Sequence, residues 1–481
     1  MPLILSDIQL EYLIFRARIH NSVGSWHPYR MRTLAALLLS LTLAAPAQTS
    51  LQTSHQTSKP TPLPEQLRFA LILSRHGVRP PLVQSTTLDT YSTSPWPVWE
   101  VPLGYLTPHG VDALVKMGQY LRLDLADSGL IPPTGCPEPG DIFLYADTDE
   151  RNIASTRATL QGFAPGCAPL DVHTVVPGKV RDPLFSPVPD TFPAPNGPAA
   201  INALRAALHF HPEIELTARG NPELNSFAQI LAPDPTHPAA NPILAQPVDF
   251  KPGDWGVSAR GPLPTASTLI EDIELEYVDA KPMSEVGWGR ADAATIHRLL
   301  PLHVKAFGLG LRTPLYARDE ASNLLAHILA TLQQAEIAQG GPSMTKDLKP
   351  AQPIGPAGAK LVYVSAHDSN LFALGGLLGL HWTADGRSDD TPPDSQLVFE
   401  LWQRPDSTHT TLRILYRAQT LFQLRTADNL TLNHPPDEVE ITPTGCVAHH
   451  PCSLATFAAA ARHRIDPAFV TQDLAPTQIA P

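Results

Sequence analysis

"FALILSRHGVRPP", Phe69 to Pro81, passes from oil to cation within two residues. Phe69 to Leu73 are apolar without alternation, the mark of a strand buried on both faces and so of an α/β sheet. Ser74 is followed at once by Arg75, His76, Gly77, Val78 and Arg79, then by Pro80 and Pro81. Packing gives no reason for a buried strand to end in two arginines flanking a histidine. Glycine permits a close backbone approach, and the prolines stiffen the chain behind it. The turn reads as a device for holding charged side chains still.

Two other segments end in the same way. "DIFLYAD" (Asp141 to Asp147) is an apolar strand followed by "DERNIASTRATLQGF", a helix opening at Asp149-Glu150-Arg151. "KLVYVSAHDSN" carries a third strand, Leu361 to Val364, and ends in His367-Asp368. Between them Thr107 and Pro108 open a helix, as N-cap and first-turn residue. "QLVFELWQ" and "TTLRILYR" alternate like an antiparallel hairpin at the sheet edge. The alternation of strands and helices predicts an α/β fold, a mixed, mostly parallel central sheet flanked by helices. From about Pro183 to Leu302 the strand pattern stops and amphipathic runs such as "AAINALRAALHF" and "STLIEDIELEYV" take over. This predicts a smaller, mainly helical domain (183–302) inserted between two α/β segments, 67–182 and 303–470.

The N-terminus does not read as fold. Arg30 and Arg32 precede an apolar run from Leu34 to Ala45, and Ala45-Pro46-Ala47 is a small-x-small cleavage site. Residues 1–47 are therefore expected to be an extension plus secretory signal peptide, with Met31 its natural start, too short in its apolar part to span a membrane. Residues 48–66, polar and proline-bearing, read as a flexible leader. The destination is the periplasm or the medium, with no membrane association after cleavage.

The 481-residue chain is 43% hydrophobic and 17% charged, and its 52 prolines are about twice the usual share. Residues 48–481 carry 30 basic and 44 acidic side chains, a net charge of −14. Such a protein is a poor partner for nucleic acid, so any anion it binds must be caught by a local cluster of bases. A monomer is expected. The four cysteines, Cys136, Cys167, Cys446 and Cys452, all follow the cleavage site. Their even number in an exported chain predicts two disulfides, for which spacing alone allows three connectivities. "CVAHHPC" reads as a small disulfide loop in preference to a metal loop through His449 and His450.

In open α/β sheets the C-terminal strand ends line the ligand crevice. If the three segments share one sheet, three arginines, two histidines and an aspartate converge there, which is an anion site. Planar guanidinium groups grip phosphate bidentately and match the charge spread over its oxygens in transfer. Histidine can attack phosphorus while neutral, giving a phosphohistidine. The leaving oxygen then needs a proton, which a carboxylic acid supplies. Asp368 is the candidate for that role, and an acidic pH optimum follows.

"SRHGVRPP" with the distant "HDSN" resembles the histidine acid phosphatase family, the branch that includes bacterial phytases, glucose-1-phosphatase and periplasmic acid phosphatases. The likeness runs from about Leu67 to Phe457 and takes in "GYLTPHG", "YADTDER", "GWGR" at Gly287 to Arg290, "LVFELW" and the C-terminal "GC…CSL". It implies His76 as nucleophile, Arg75, Arg79 and Arg151 as phosphate clamps, His367 as a phosphate-binding histidine and Asp368 as proton donor. It also implies a phosphoglycerate-mutase-like fold, disulfides Cys136–Cys167 and Cys446–Cys452, no metal and no cofactor. The departures concern substrate. Where the enteric phytase type carries a Thr-Lys pair after the arginine loop, this chain has Leu82 and Val83, and a phytase pocket arginine falls on Glu320. His303 and a pocket acid, Glu271, are retained. Losing two cations and gaining a carboxylate disfavours a substrate with six phosphates. The expected function is thus general acid phosphatase acting on a small phosphorylated metabolite, with phytase or glucose-1-phosphatase as the alternative. A phosphotransferase and an inactive phosphate-binding protein are weaker readings.

Overall fold

The opening stretch forms β1 (Gln66–Arg75), which lies inside a nine-stranded mixed sheet. The other strands are β2 (Ile142–Ala146), β3 (Val172–Val175), β6 (Leu361–Ala366), β9 (Gln396–Gln403), β10 (Thr410–Ala418), β11 (Asp437–Ile441), β12 (Cys452–Ser453) and β13 (Thr477–Ile479). They run in the order β11–β10–β9–β1–β6–β2–β3–β13, with β12 paired to β10. β4 (Asp249–Gly253) with β5 (Gly256–Arg260), and β7 (Thr383–Ala384) with β8 (Arg387–Ser388), form separate two-stranded ribbons. The computed structural model describes residues 64–175, 181–188, 191–193, 197–209, 211–232, 241–253, 256–342 and 351–480. The expected signal peptide and nearly all of the leader lie outside those residues.

The unbroken apolar run of β1 feeds two cores at once. Phe69, Leu71 and Leu73 join one cluster with Leu325, Leu329, Leu371 and Leu374. Those come from α7 (Pro314–Ala338) and α8 (Asp368–Leu378). Ala70 and Ile72 face the other way, onto Met117, Leu121 and Ile153. Those belong to α1 (Pro108–Asp127) and α2 (Glu150–Phe163). Each fully buried Leu or Ile side chain contributes about 1.5–3 kcal/mol of transfer free energy. A polar substitution on either face of β1 would therefore open one core or the other.

The parallel ladders are confined to β1/β6, β6/β2 and β2/β3; β9, β10, β11 and β13 run antiparallel at the two flanks. The β9–β10 pair is antiparallel as expected but does not form the edge. β9 sits directly against β1, and β11 and β12 cover β10. This explains why β9 is buried on both faces along most of its length.

The segment expected as a helical insertion contains α3 (Gly197–Ala207), α4 (Glu223–Leu231) and α5 (Pro262–Val278). It leads into α6 (Ala293–Leu311). These build a third core around Leu204, Phe227, Leu263, Ile270 and Leu299, which also takes in Val78 of the opening loop. Three expected boundaries need correction. The β4–β5 hairpin adds strands to the segment, and its supposed end at Leu302/His303 falls in the middle of α6. At the N-terminal side, Glu65 already belongs to the fold, accepting from Thr411 Oγ1 at 2.8 Å and pairing with Arg413 at 3.3 Å. At the C-terminal side, β13 pairs with β3 beyond residue 470. The described residues all fall in one compact unit.

Both disulfides are present, Cys136–Cys167 and Cys446–Cys452, each with Cα atoms 5.6 Å apart. With Cys446 and Cys452 bonded to each other, the "CVAHHPC" loop has no thiolate to offer a metal. Among the described residues no helix is long and apolar enough to cross a membrane.

Candidate active site

Register brings the site together. Arg75 of β1 pairs with Ala366 of β6, and Ala146 of β2 pairs with Ser365. Three parallel strands thus stop level, and the next residue on each is His76, His367 and Asp147. The backbone continues the ladder for one more bond: His76 N–H donates to Ala366 O at 3.0 Å and Asp147 N–H to Ser365 O at 3.1 Å. Arg151 enters from the first turn of α2, and Asp368 opens α8.

The loop after β1 is pinned along its length. Gly77 N–H donates to Ser155 Oγ at 2.9 Å, and Val78 O accepts from Thr107 N–H, the N-cap of α1, at 3.0 Å. A Cβ on Gly77 would stand 2.6 Å from Leu114 Cδ1 and 2.9 Å from Leu106 Cδ1. A larger residue there would have to push these leucine side chains of α1 and its approach loop aside.

His76 is 2% exposed. Its Nδ1 lies 2.8 Å from Gly77 O. A carbonyl only accepts, so Nδ1 carries the proton and Nε2 carries the lone pair. Burial and then the neighbouring charges of Arg151, Arg75, His367 and Arg79 push its pKa well below the usual histidine value. The ring is neutral and basic at Nε2.

Around it stand three guanidinium groups. Arg75 is 1% exposed, and its Nη1 donates to Thr391 O at 2.5 Å. Its Nη2 lies 2.5 Å from Glu271 Oε1 and 2.9 Å from Asp368 Oδ2. Arg79 Nη2 shares the same Glu271 oxygen at 3.1 Å. Burial alone would raise the Glu271 carboxyl, but Arg79 and Arg75 outweigh it and hold the group ionised, below its usual range. Arg151 Nη2 pairs with Asp149 at 2.6 Å and reaches His367 Nδ1 at 3.3 Å. The Nε atoms of Arg75, Arg79 and Arg151 are buried without a hydrogen-bond partner among the described residues.

His367 sits 5.5 Å from His76 between ring centroids, edge to face. Its Nε2 is 2.7 Å from Asp147 Oδ2, which leaves Nδ1 turned towards Arg151. Asp147 is a site residue that the motif reading passed over, although it follows a buried strand just as His76 and His367 do.

A cavity of about 540 Å³ is lined by His76, Arg79, Arg151, His367 and Asp368, with Leu82 and Val83 in its wall. Arg181, Glu271, Asp272 and Phe307 line it too. Burial and the Glu271 charge push the Asp272 carboxyl well above its usual value. Two expected pocket residues are elsewhere. His303 is buried behind the wall, its Nδ1 3.1 Å from Ser267 O and its ring stacked on Phe307. Phe307, one helical turn later on α6, is the side chain that reaches the cavity. Glu320 lines an adjoining cavity of about 460 Å³ with Tyr316 and Leu311, which shares Phe307, Thr268 and Arg181 with the first. Burial and then Asp319 push its carboxyl up to about 7.

The family model described as histidine phosphatase superfamily (branch 2) matches residues 66–417. Phytase AppA of Escherichia coli is 33% identical over 82% of this chain and 90% of its own length. A glucose-1-phosphatase of Salmonella typhimurium is 28% identical over 79% of this chain and 88% of its own. Among solved structures, a Hafnia alvei phytase in complex with myo-inositol hexakis sulphate superposes with a TM-score of 0.74. It is 30% identical, over 85% of this chain and 99% of that one.

Proposed function

The chain belongs to branch 2 of the histidine phosphatase superfamily and is a phosphoric monoester hydrolase of the histidine acid phosphatase type; on that premise we propose that it works through a covalent phosphohistidine on His76, with Asp368 as proton donor. The observation that carries this reading is a neutral, buried His76 whose Nδ1–H is committed to Gly77 O, set among Arg75, Arg79 and Arg151. Nε2 forms the N–P bond as the ester P–O bond breaks in line. The electron pair of that bond goes to the leaving oxygen, which takes the Asp368 proton. The Asp368 carboxylate then accepts a proton from water, whose oxygen attacks phosphorus as the N–P bond breaks. Inorganic phosphate and neutral His76 result. The guanidinium groups balance the charge on the transferring oxygens, and Gly77 O accepts from the phosphoimidazolium throughout.

For substrate we favour small monoesters with one phosphate. Leu82 and Val83 put apolar surface in the cavity wall, and Asp149, Glu271 and Asp272 add acid to the lining. A second reading, phytase, draws on the Escherichia coli and Hafnia alvei relatives, and a third, glucose-1-phosphatase, on the Salmonella one. The apolar run before Ala45-Pro46-Ala47 and the two disulfides support export. A kcat/KM panel of p-nitrophenyl phosphate, glucose-1-phosphate and phytate on the 48–481 protein discriminates the substrates. His76→Ala should fold and lose turnover; near wild-type activity in that variant would overturn the mechanism.

A further inference from the structure

A second buried guanidinium, Arg387, lies outside the cavity lining. Arg387 of β8 has a side chain 3% exposed, and its Nη1 is 3.1 Å from Glu274 Oε1 and 3.0 Å from Asp390 Oδ2. Its Nη2 is 3.5 Å from Asp385 Oδ2 and donates to Gln419 O at 3.4 Å. Two routes connect this group to Arg75. Along α5, Glu271 and Glu274 are three residues apart and share a face. The helix therefore offers one carboxylate to Arg75 and the next to Arg387. Along the loop before β9, Asp390 precedes Thr391, whose carbonyl accepts from Arg75 Nη1. Asp390 is bolted in place: its Oδ1 accepts from Thr391 N–H at 2.9 Å, and its carbonyl accepts from Trp382 Nε1 at 2.8 Å and Tyr416 Oη at 2.6 Å.

We propose that Arg387 is a positioning residue for Arg75. By tying Glu274 of α5 to Asp390 of the loop, it sets the separation of Glu271 Oε1 and Thr391 O, the two acceptors between which the Arg75 guanidinium is held. A buried ion cluster is a poor device for stability alone, because well-packed apolar side chains of similar volume often serve as well or better. What apolar side chains cannot do is hold a helix carboxylate and a loop carbonyl at a distance set by one rigid fork. Displacing a reacting group's support by around an ångström can cost roughly a hundredfold in rate.

The test separates positioning from folding. Arg387→Met is made alone and as Arg387→Met/Glu274→Met/Asp390→Asn, which leaves none of these three charges behind. The triple variant should melt within a few degrees of wild type, yet lose roughly tenfold or more in kcat/KM on p-nitrophenyl phosphate, with a parallel rise in the Ki of inorganic phosphate. The triple change added to Arg75→Ala should cost less than about twofold more, whereas added to Arg151→Ala it should cost its full factor, since interaction is expected only between linked sites. A folded triple variant with wild-type kcat/KM overturns the proposal. So does an equal loss in the Arg75→Ala and Arg151→Ala backgrounds. The inference rests on the phosphatase reading, and wild type distinguishes the two failures: inactive wild type sinks that reading, while active wild type beside an unaffected variant sinks only the role of Arg387.

Discussion

Asp147→Asn is the sharpest probe of the site, because it changes a charge and almost nothing else. Asp147 Oδ2 accepts from His367 Nε2 at 2.7 Å, with both side chains largely buried, at 12% and 14% exposed. The amide keeps the shape and can still accept through its oxygen, but the bond falls from charge-assisted to neutral. Bonds to charged partners contribute about 1.5–3 kcal/mol and neutral ones about 0.5–1.5 kcal/mol. The difference of about 1–2 kcal/mol corresponds to roughly 5- to 30-fold in an equilibrium constant. Loss is therefore expected in kcat/KM on an aryl phosphate and in the Ki of inorganic phosphate together, with little change in Tm. The assay is a steady-state pair of those constants beside a melting curve. Wild-type values of both constants in a folded Asp147→Asn protein would refute the claim that Asp147 holds His367 for phosphate.

Four further outcomes are expected. Burial, and then the neighbouring charges, depress the His76 pKa, so acid does not remove the nucleophile near pH 6.5, and kcat/KM should hold between pH 6.5 and 5; an acid limb with an apparent pKa near 6.5 contradicts this. Burial raises Asp182 and Glu400 to about 7 and Glu276 to about 8, so these acids bind protons in the folded state that the unfolded chain gives up near pH 4; Tm should fall as pH rises from 5 to 8, and a flat or rising curve in scanning calorimetry counts against it. Replacing Cys136 and Cys167 by Ser frees a 31-residue loop and should cost about 3–4 kcal/mol, against about 2 kcal/mol for the six-residue Cys446–Cys452 loop, measured by urea unfolding. Leu82→Thr/Val83→Lys should raise kcat/KM for phytate relative to p-nitrophenyl phosphate by roughly fivefold, about 1 kcal/mol for one added charge in the cavity; an unchanged ratio removes these two positions as substrate determinants.

The sheet was legible because β1, β2 and β6 announce themselves as unbroken apolar runs, and polar residues directly after each run betray the crevice. The same rule covers Asp147, which comes immediately after Ala146. It was hidden because an acid beside a strand has no obvious use until His367 is placed 2.7 Å away. The edge assignment of β9 and β10 failed for a related reason. Alternation reports the two faces of a strand, but says nothing of its neighbours in the plane, and only long-range pairing sets β9 beside β1. The misplaced break at Leu302/His303 has its cause in α6, which runs through that point and buries residues in the third core.

His303 and Glu320 show where a motif match stops being a contact. His303 lies on the face of α6 that turns to Ser267, and Phe307 takes the cavity wall in its place. Glu320 lines the cavity next to the one that holds His76, with Arg181 and Phe307 in both linings. Under the proposed mechanism the arginines around His76 come from the end of β1, the loop after it and α2, while the cavity walls beside them come from Leu82, Val83, α6 and α7. Under that mechanism, changes in the second group should retune substrate while the arginines around His76 keep their places, because their ion pairs run through Glu271, Asp368 and Asp149 and bypass Glu320.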